Sequence, residues 1–148
     1  MDLATQLKRD EGEKLVVYLD SKGIRSGGVG HNLEAHGIDW PVGTTITQDQ
    51  SDQWLDEDTA TAHSLLATHI PWSLQLDPIR EAVLLNMVFN MGWGDGTHGL
   101  SAFHHTLAMI EAGNYAGAAE AMLESAWARE VGPRATRLAQ QIETGAWV

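Results

Sequence analysis

Hydrophobic and polar positions follow different rhythms along the chain. Leu3 and Leu7 stand four residues apart and Glu11 continues their face, which predicts a helix from about Asp2 to Glu11. Asp2 is its candidate N-cap and Gly12 its stop. The next run, "LVVYL", is rich in β-branched and aromatic residues and predicts a strand. "DSKG" reads as a turn, and "IRSGGVGHNL" supplies two further short strands around glycine bends. "EAHGIDWPVGTT" reads as a loop broken by Pro41 and Gly43.

Thr47 then predicts an N-cap, and "QDQSDQWLDEDTATAHSLLATHI" predicts a long helix with Trp54, Leu55, Thr61, Leu65 and Leu66 on its apolar stripe. Asp49, Asp52, Asp56, Glu57 and Asp58 offer the residue types of a cation site, but a solvated helix face with acids near its N-terminus is the better reading. After Pro71 the rhythm is helical throughout. Asp77-Pro78 is a cap followed by proline at the first helical position. "IREAVLLNMVFNMG" is apolar on nearly every side from Ala82 onward, so it predicts a helix at the centre of a bundle. "SAFHHTLAMIEAG", "NYAGAAEAMLES" and "GPRATRLAQQIETG" each carry start or stop signals of further helices.

The pattern predicts an α+β fold, mostly helical, within one domain over 1–148. A small N-terminal lobe with a short antiparallel hairpin sheet takes about 1–46, a connecting helix about 47–70, and a larger helical C-terminal lobe about 71–148.

Composition sharpens the picture in three respects. There is no cysteine, which removes disulfides and thiolate metal sites. No apolar run spans a membrane and no signal-peptide pattern opens the chain, so synthesis in a cytoplasm is expected. The net charge is −11, with twelve acids against five Lys/Arg in residues 1–60 and eight against four in 61–148. Both halves repel nucleic acid and anionic lipid, so a nucleic-acid partner is not expected. His104 and His105 point to different helix faces and have no carboxylate at ligand spacing, so neither metal nor cofactor is expected.

The chemistry concentrates in "RDEGEKLVVYLDSKGIRSGGVGH". Glu11 falls where an apolar residue would continue the helix stripe. A carboxyl lodged against apolar neighbours is favoured in its proton-bearing form and can act as a general acid. Asp20 opens a turn, where water keeps it ionised. Two carboxyl groups in such contrasting environments suit acid/base glycoside chemistry, and Ser26 offers a hydroxyl to hold a water beside Asp20. Taken alone, most Glu/Asp pairs at this spacing are surface charges.

Glu, eight residues, Asp, five residues, a hydroxyl residue and then Gly-x-Gly-His resembles the catalytic segment of the phage-type lysozymes, the endolysins of glycoside hydrolase family 24. "ITQDQ" is similar to the start of that family's interlobe helix, and "LLNMVFNMG" to its buried central helix. "SAFHHTLAMIEAGNYAGAAEAMLESAW" followed by "GPRA" matches its C-terminal lobe, so the likeness covers essentially the whole chain.

The resemblance implies a muramidase that hydrolyses the β-1,4 bond between N-acetylmuramic acid and N-acetylglucosamine, binding the glycan between two lobes. It needs no cofactor, works as a monomer, and reaches the cell wall after release from the host cytoplasm. It implies Glu11 as proton donor, with Asp20 positioning water or stabilising an oxocarbenium-like state. Ser26 stands where threonine is usual, keeping the hydroxyl but losing the methyl that limits its rotamers. His31 would be a hydrogen-bonding histidine beside the site. Phe89 and Asn90 resemble cleft-wall residues, and Asn32 and Thr106 match sugar-contacting positions. Trp127 resembles an aromatic at the back of the cleft, and Arg134 the arginine that pairs with the catalytic glutamate. The stretch from His31 to Thr47 is too short for the extra small helix of larger members. "MGWGDGTHGLSAF" is longer and glycine-rich, a candidate flap over the glycan, with a plain surface loop as the default reading. The alternative reading is a catalytically weak or silent peptidoglycan-binding module.

Overall fold

The computed structural model describes residues 1–148. The chain divides into two compact units, Met1–Thr61 and Ala62–Val148. The first unit opens with helix α1, Leu3–Glu11, capped by the Asp2 carboxylate, which accepts from Thr5 N at 2.8 Å. It stops at Gly12, whose φ of 75° ends the helical path. Three antiparallel strands follow in the order β1 (Lys14–Leu19), β2 (Arg25–Gly28) and β3 (His31–Asn32). Tyr18 faces Ser26 and Ser26 faces Asn32 across the sheet, and β1 bulges between Lys14 and Tyr18. Val17, Leu33, Ile46 and Trp54 form the buried cluster of this unit, with Ile38 and Trp40 packed against it.

Helix α2, Gln48–His69, begins at Thr47, whose hydroxyl accepts from Gln50 N at 3.1 Å, as the sequence predicts. The division between units falls within this helix, after Thr61. Its buried stripe is Trp54, Leu55, Ala62 and Leu66. Thr61, expected on that stripe, is exposed, because the 3.6-residue period carries the stripe through Ala62 instead.

The second unit is helical: α3 (Pro78–Met91), α4 (His104–Glu111), α5 (Tyr115–Leu123), α6 (Ala126–Val131) and α7 (Pro133–Thr144). Every residue of α3 from Ala82 to Val88 is buried, as its uninterrupted apolar pattern requires. α5 packs on α4 and α7, and α7 also packs on α3 and α6. Leu84, Met87, Leu100, Ile110, Met122, Leu138 and Ile142 are fully enclosed. Helix α6 is absent from the sequence pattern because six residues are too short to show a period. Its cap is nonetheless conventional: Ser125 Oγ accepts from Ala128 N at 3.1 Å. No helix is long and apolar enough to cross a membrane.

The glycine-rich stretch after α3 is closed on itself. Leu100 N donates to Gly92 O and Ser101 N to Trp93 O, while Gly96 N donates to Ser101 Oγ. A Cβ on Gly99 would lie 2.6 Å from Trp93 O, and one on Gly94 would collide with His98 O. The two backbone passes touch, which only glycine permits.

Candidate active site

Glu11 is the last residue of α1, so the helix C-terminus delivers its half-buried carboxyl to the start of the sheet. The Gly-Val-Gly-His turn closes over it: a Cβ on Gly30 would meet Glu11 Oε2 at 3.5 Å and Glu11 Cβ at 3.8 Å. Asp20 opens the turn between β1 and β2. Its Oδ1 accepts from Lys22 N at 2.8 Å and Ile24 N at 2.9 Å, which fixes the side chain. Burial, and then the charges of Asp20 and Glu11, push the Tyr18 hydroxyl above its ordinary value. Both carboxyl groups therefore lie within electrostatic reach of one β1 side chain.

Ser26 is buried on β2, and its hydroxyl makes only a long bond, donating to Ile24 O at 3.4 Å. Asp20 and Ser26 thus engage opposite ends of the same residue, one at Ile24 N and one at Ile24 O. Asn32 uses its carboxamide oxygen to accept from Ala35 N at 2.9 Å, capping the 3-10 turn at Glu34–His36. His31 is 1% exposed, bonds Asp58 through Nδ1 at 2.7 Å, and is stacked between Trp54 and His36. The ring is thus held by internal contacts on both faces and at Nδ1. Asp58 was no more than one acid among five in the sequence, because 27 residues separate it from His31.

His31, His36 and Asp58 are of metal-ligating types and lie close together. The two imidazoles stack with centroids 4.1 Å apart and an interplanar angle of 28°, and one ligand atom from each of the three residues lies within 4.8 Å of the others. Asp58 Oδ2 bonds His31, and its Oδ1 lies 3.9 Å from His36 Nε2.

The remaining residues named from the sequence belong to the second unit. Asn90 Oδ1, on the half-buried last turn of α3, accepts from Trp127 Nε1 at 2.9 Å. Phe103 meets Trp127 edge to face, with centroids 5.9 Å apart. Thr106 and Trp127 line one pocket of about 660 Å³, together with Phe103, His105, Glu124 and Glu130. Phe89 is half-buried beside Asn90. Arg134, at the start of α7, donates from Nε and Nη2 to Asn86 Oδ1 at 3.0 and 2.7 Å. Sequence reasoning passed over Asn86. Its signal was a carboxamide inside the otherwise apolar run Ala82–Val88, which burial obliges to find a partner.

The phage lysozyme family model matches residues 8–141, and the chain belongs to that family. It is accordingly a glycoside hydrolase of the lysozyme class. Probable T4-type lysozyme 1 of Dictyostelium discoideum is 30% identical, over 94% of this chain and 92% of its own. The endolysin of Salmonella phage P22 is 34% identical, over 80% of this chain and 77% of its own. The pre-baseplate central spike protein Gp5 of Enterobacteria phage T4 is 30% identical, over 98% of this chain but 28% of that protein.

Proposed function

We propose that the chain is an endolysin that hydrolyses the β-1,4 bond between N-acetylmuramic acid and N-acetylglucosamine in bacterial peptidoglycan. Glu11 donates the proton to the leaving oxygen. Asp20, held in its turn by two backbone N–H groups, orients the attacking water, and the Ser26 hydroxyl assists it. Asn90, Thr106 and Trp127 receive sugar in the second unit, with Phe89 beside them and Arg134 held at the start of α7 by Asn86. The protein works as a monomer on glycan strands, without nucleic acid, and reaches the wall from the host cytoplasm during host-cell lysis.

One observation supports this reading: in a chain of the phage lysozyme family, Glu11 stands at the end of α1 against the Gly30 turn, and Asp20 is held by Lys22 N and Ile24 N in the turn after β1. That is the arrangement acid and water-handling groups need. The test is mass spectrometry of muropeptides released from purified peptidoglycan. Hydrated reducing ends are expected, with none released by Glu11→Gln at unchanged thermal stability. Products ending in 1,6-anhydro sugars, or undiminished release by Glu11→Gln, would refute it.

A further inference from the structure

A second pocket, of about 470 Å³, is lined by Trp93 to Gly96 of the closed glycine loop, whereas the one holding Thr106 and Trp127 is lined by Thr97 to Gly99. His104 lines both, its Nε2 donating to Gly96 O at 3.1 Å. The second pocket is walled by Trp72, Trp93 and Leu107, with the carboxylates of Asp95 and Glu111 at its edge, and no lysine or arginine lines it. One face of Trp93 is covered by His69, stacked at 4.6 Å and 6°, so the indole is held in a fixed plane. Asp95 Oδ1 accepts from Thr97 N, Thr97 Oγ1 and His98 N at 2.9–3.0 Å. Those bonds hold its carboxyl far below the ordinary range, so the charge at the rim persists even in mild acid.

The geometry points to this pocket as a binding site for an alkylammonium group, a primary amine carried on a short apolar stem. Indole faces attract a cation through their quadrupole, and the carboxylates pair with it. An ammonium offers donors and no acceptor, which matches carboxylates that only accept. An anion would meet two carboxylates and no lysine or arginine. Given the activity proposed above, the amine-bearing side chain of a diamino acid in the wall's peptide stems is the natural source, and a free polyamine would carry the same chemistry.

The experiment is an NMR titration of the full chain with cadaverine, following the indole N–H signals of Trp72 and Trp93, and needs no turnover. Saturable shifts are expected, with affinity about tenfold weaker in Glu111→Gln. Trp93→Ala should weaken binding similarly, and because that change can disturb the loop, the exposed Glu111→Gln decides. Nα-acetyl-lysine amide binding as well as cadaverine would assign the site to peptide stems, and cadaverine binding alone to free polyamines; both support an ammonium site. Equal binding of N,N′-diacetylcadaverine, unchanged affinity in Glu111→Gln, or indole shifts with chitotetraose and none with cadaverine would each overturn the proposal. Ammonium binding by a chain that releases no muropeptides would sink the proposed hydrolysis and leave this site standing.

Discussion

His31 Nδ1 and Asp58 Oδ2 meet at 2.7 Å across 27 residues, joining the last strand of the sheet to the middle of α2. The imidazole is enclosed, whereas the Asp58 side chain retains 20% exposure. Removing the carboxylate leaves a buried ring nitrogen without its partner, the costlier way to lose a hydrogen bond. Asp58→Ala should therefore lose about 2 kcal/mol, seen as a Tm lower by about 4–8 °C. Differential scanning calorimetry at neutral pH checks this, and an unchanged Tm would mean the bond adds nothing to stability.

Asp95 predicts a pH dependence. Its folded-state carboxyl sits below the ordinary 3.8 because Thr97 and His98 donate to the charged form. A depressed acid contributes stability that is present above its unfolded value and disappears as pH falls through the folded one. Asp95→Ala should thus be less stable than the parent at pH 7, and the gap should narrow below about pH 4. Urea midpoints at pH 7 and pH 3 decide; a gap that widens in acid would contradict the assignment.

Stereochemistry tests the proposed role of Asp20. If it acts through water, hydrolysis inverts the anomeric centre, and proton NMR of the first product shows the α anomer. Ser26→Ala should slow turnover by about tenfold to a hundredfold without changing the anomer. A first-formed β anomer would make Asp20 a nucleophile instead.

Charge sets the expected salt response. At −11 the protein is repelled by an anionic wall in dilute buffer, and added salt screens that repulsion within about 10 Å at 0.1 M. Turbidity clearing of intact walls should accelerate from low to moderate ionic strength. A steady decline would reveal a local basic patch masked by the net charge.

Much of this was readable from residues. The caps at Asp2, Thr47, Asp77 and Asn114 each bond as their side chains predict, because capping is decided within three residues. The buried run of α3 was equally plain, since a helix without a polar face can lie nowhere else. Partnerships between distant residues were not readable. Asp58 with His31, and Asn86 with Arg134, depend on tertiary approach, and no local pattern marks which of several acids or amides is chosen. The pocket walled by Trp72 and Trp93 was hidden for the same reason, as one indole comes from the 3-10 helix Pro71–Gln75 and the other from the loop after α3.

The contact between the two passes of the glycine loop reaches beyond folding, into how this segment can vary. Gly94 is exposed and would ordinarily be scored as freely replaceable, yet the place of its missing side chain is taken by the carbonyl of His98. Thr97 and His98, at the tip, are exposed on the far side of that contact. A selection from a library randomised over 93–99 should return near-invariant glycine at 94 and 99, a strong preference for Gly96, whose φ is 91°, and for the loop-holding Asp95, and drift only at 97 and 98. Side-chain changes at Thr97 and His98 that keep the backbone N–H groups on Asp95 should be carried there, whereas a single methyl group at 94 should not.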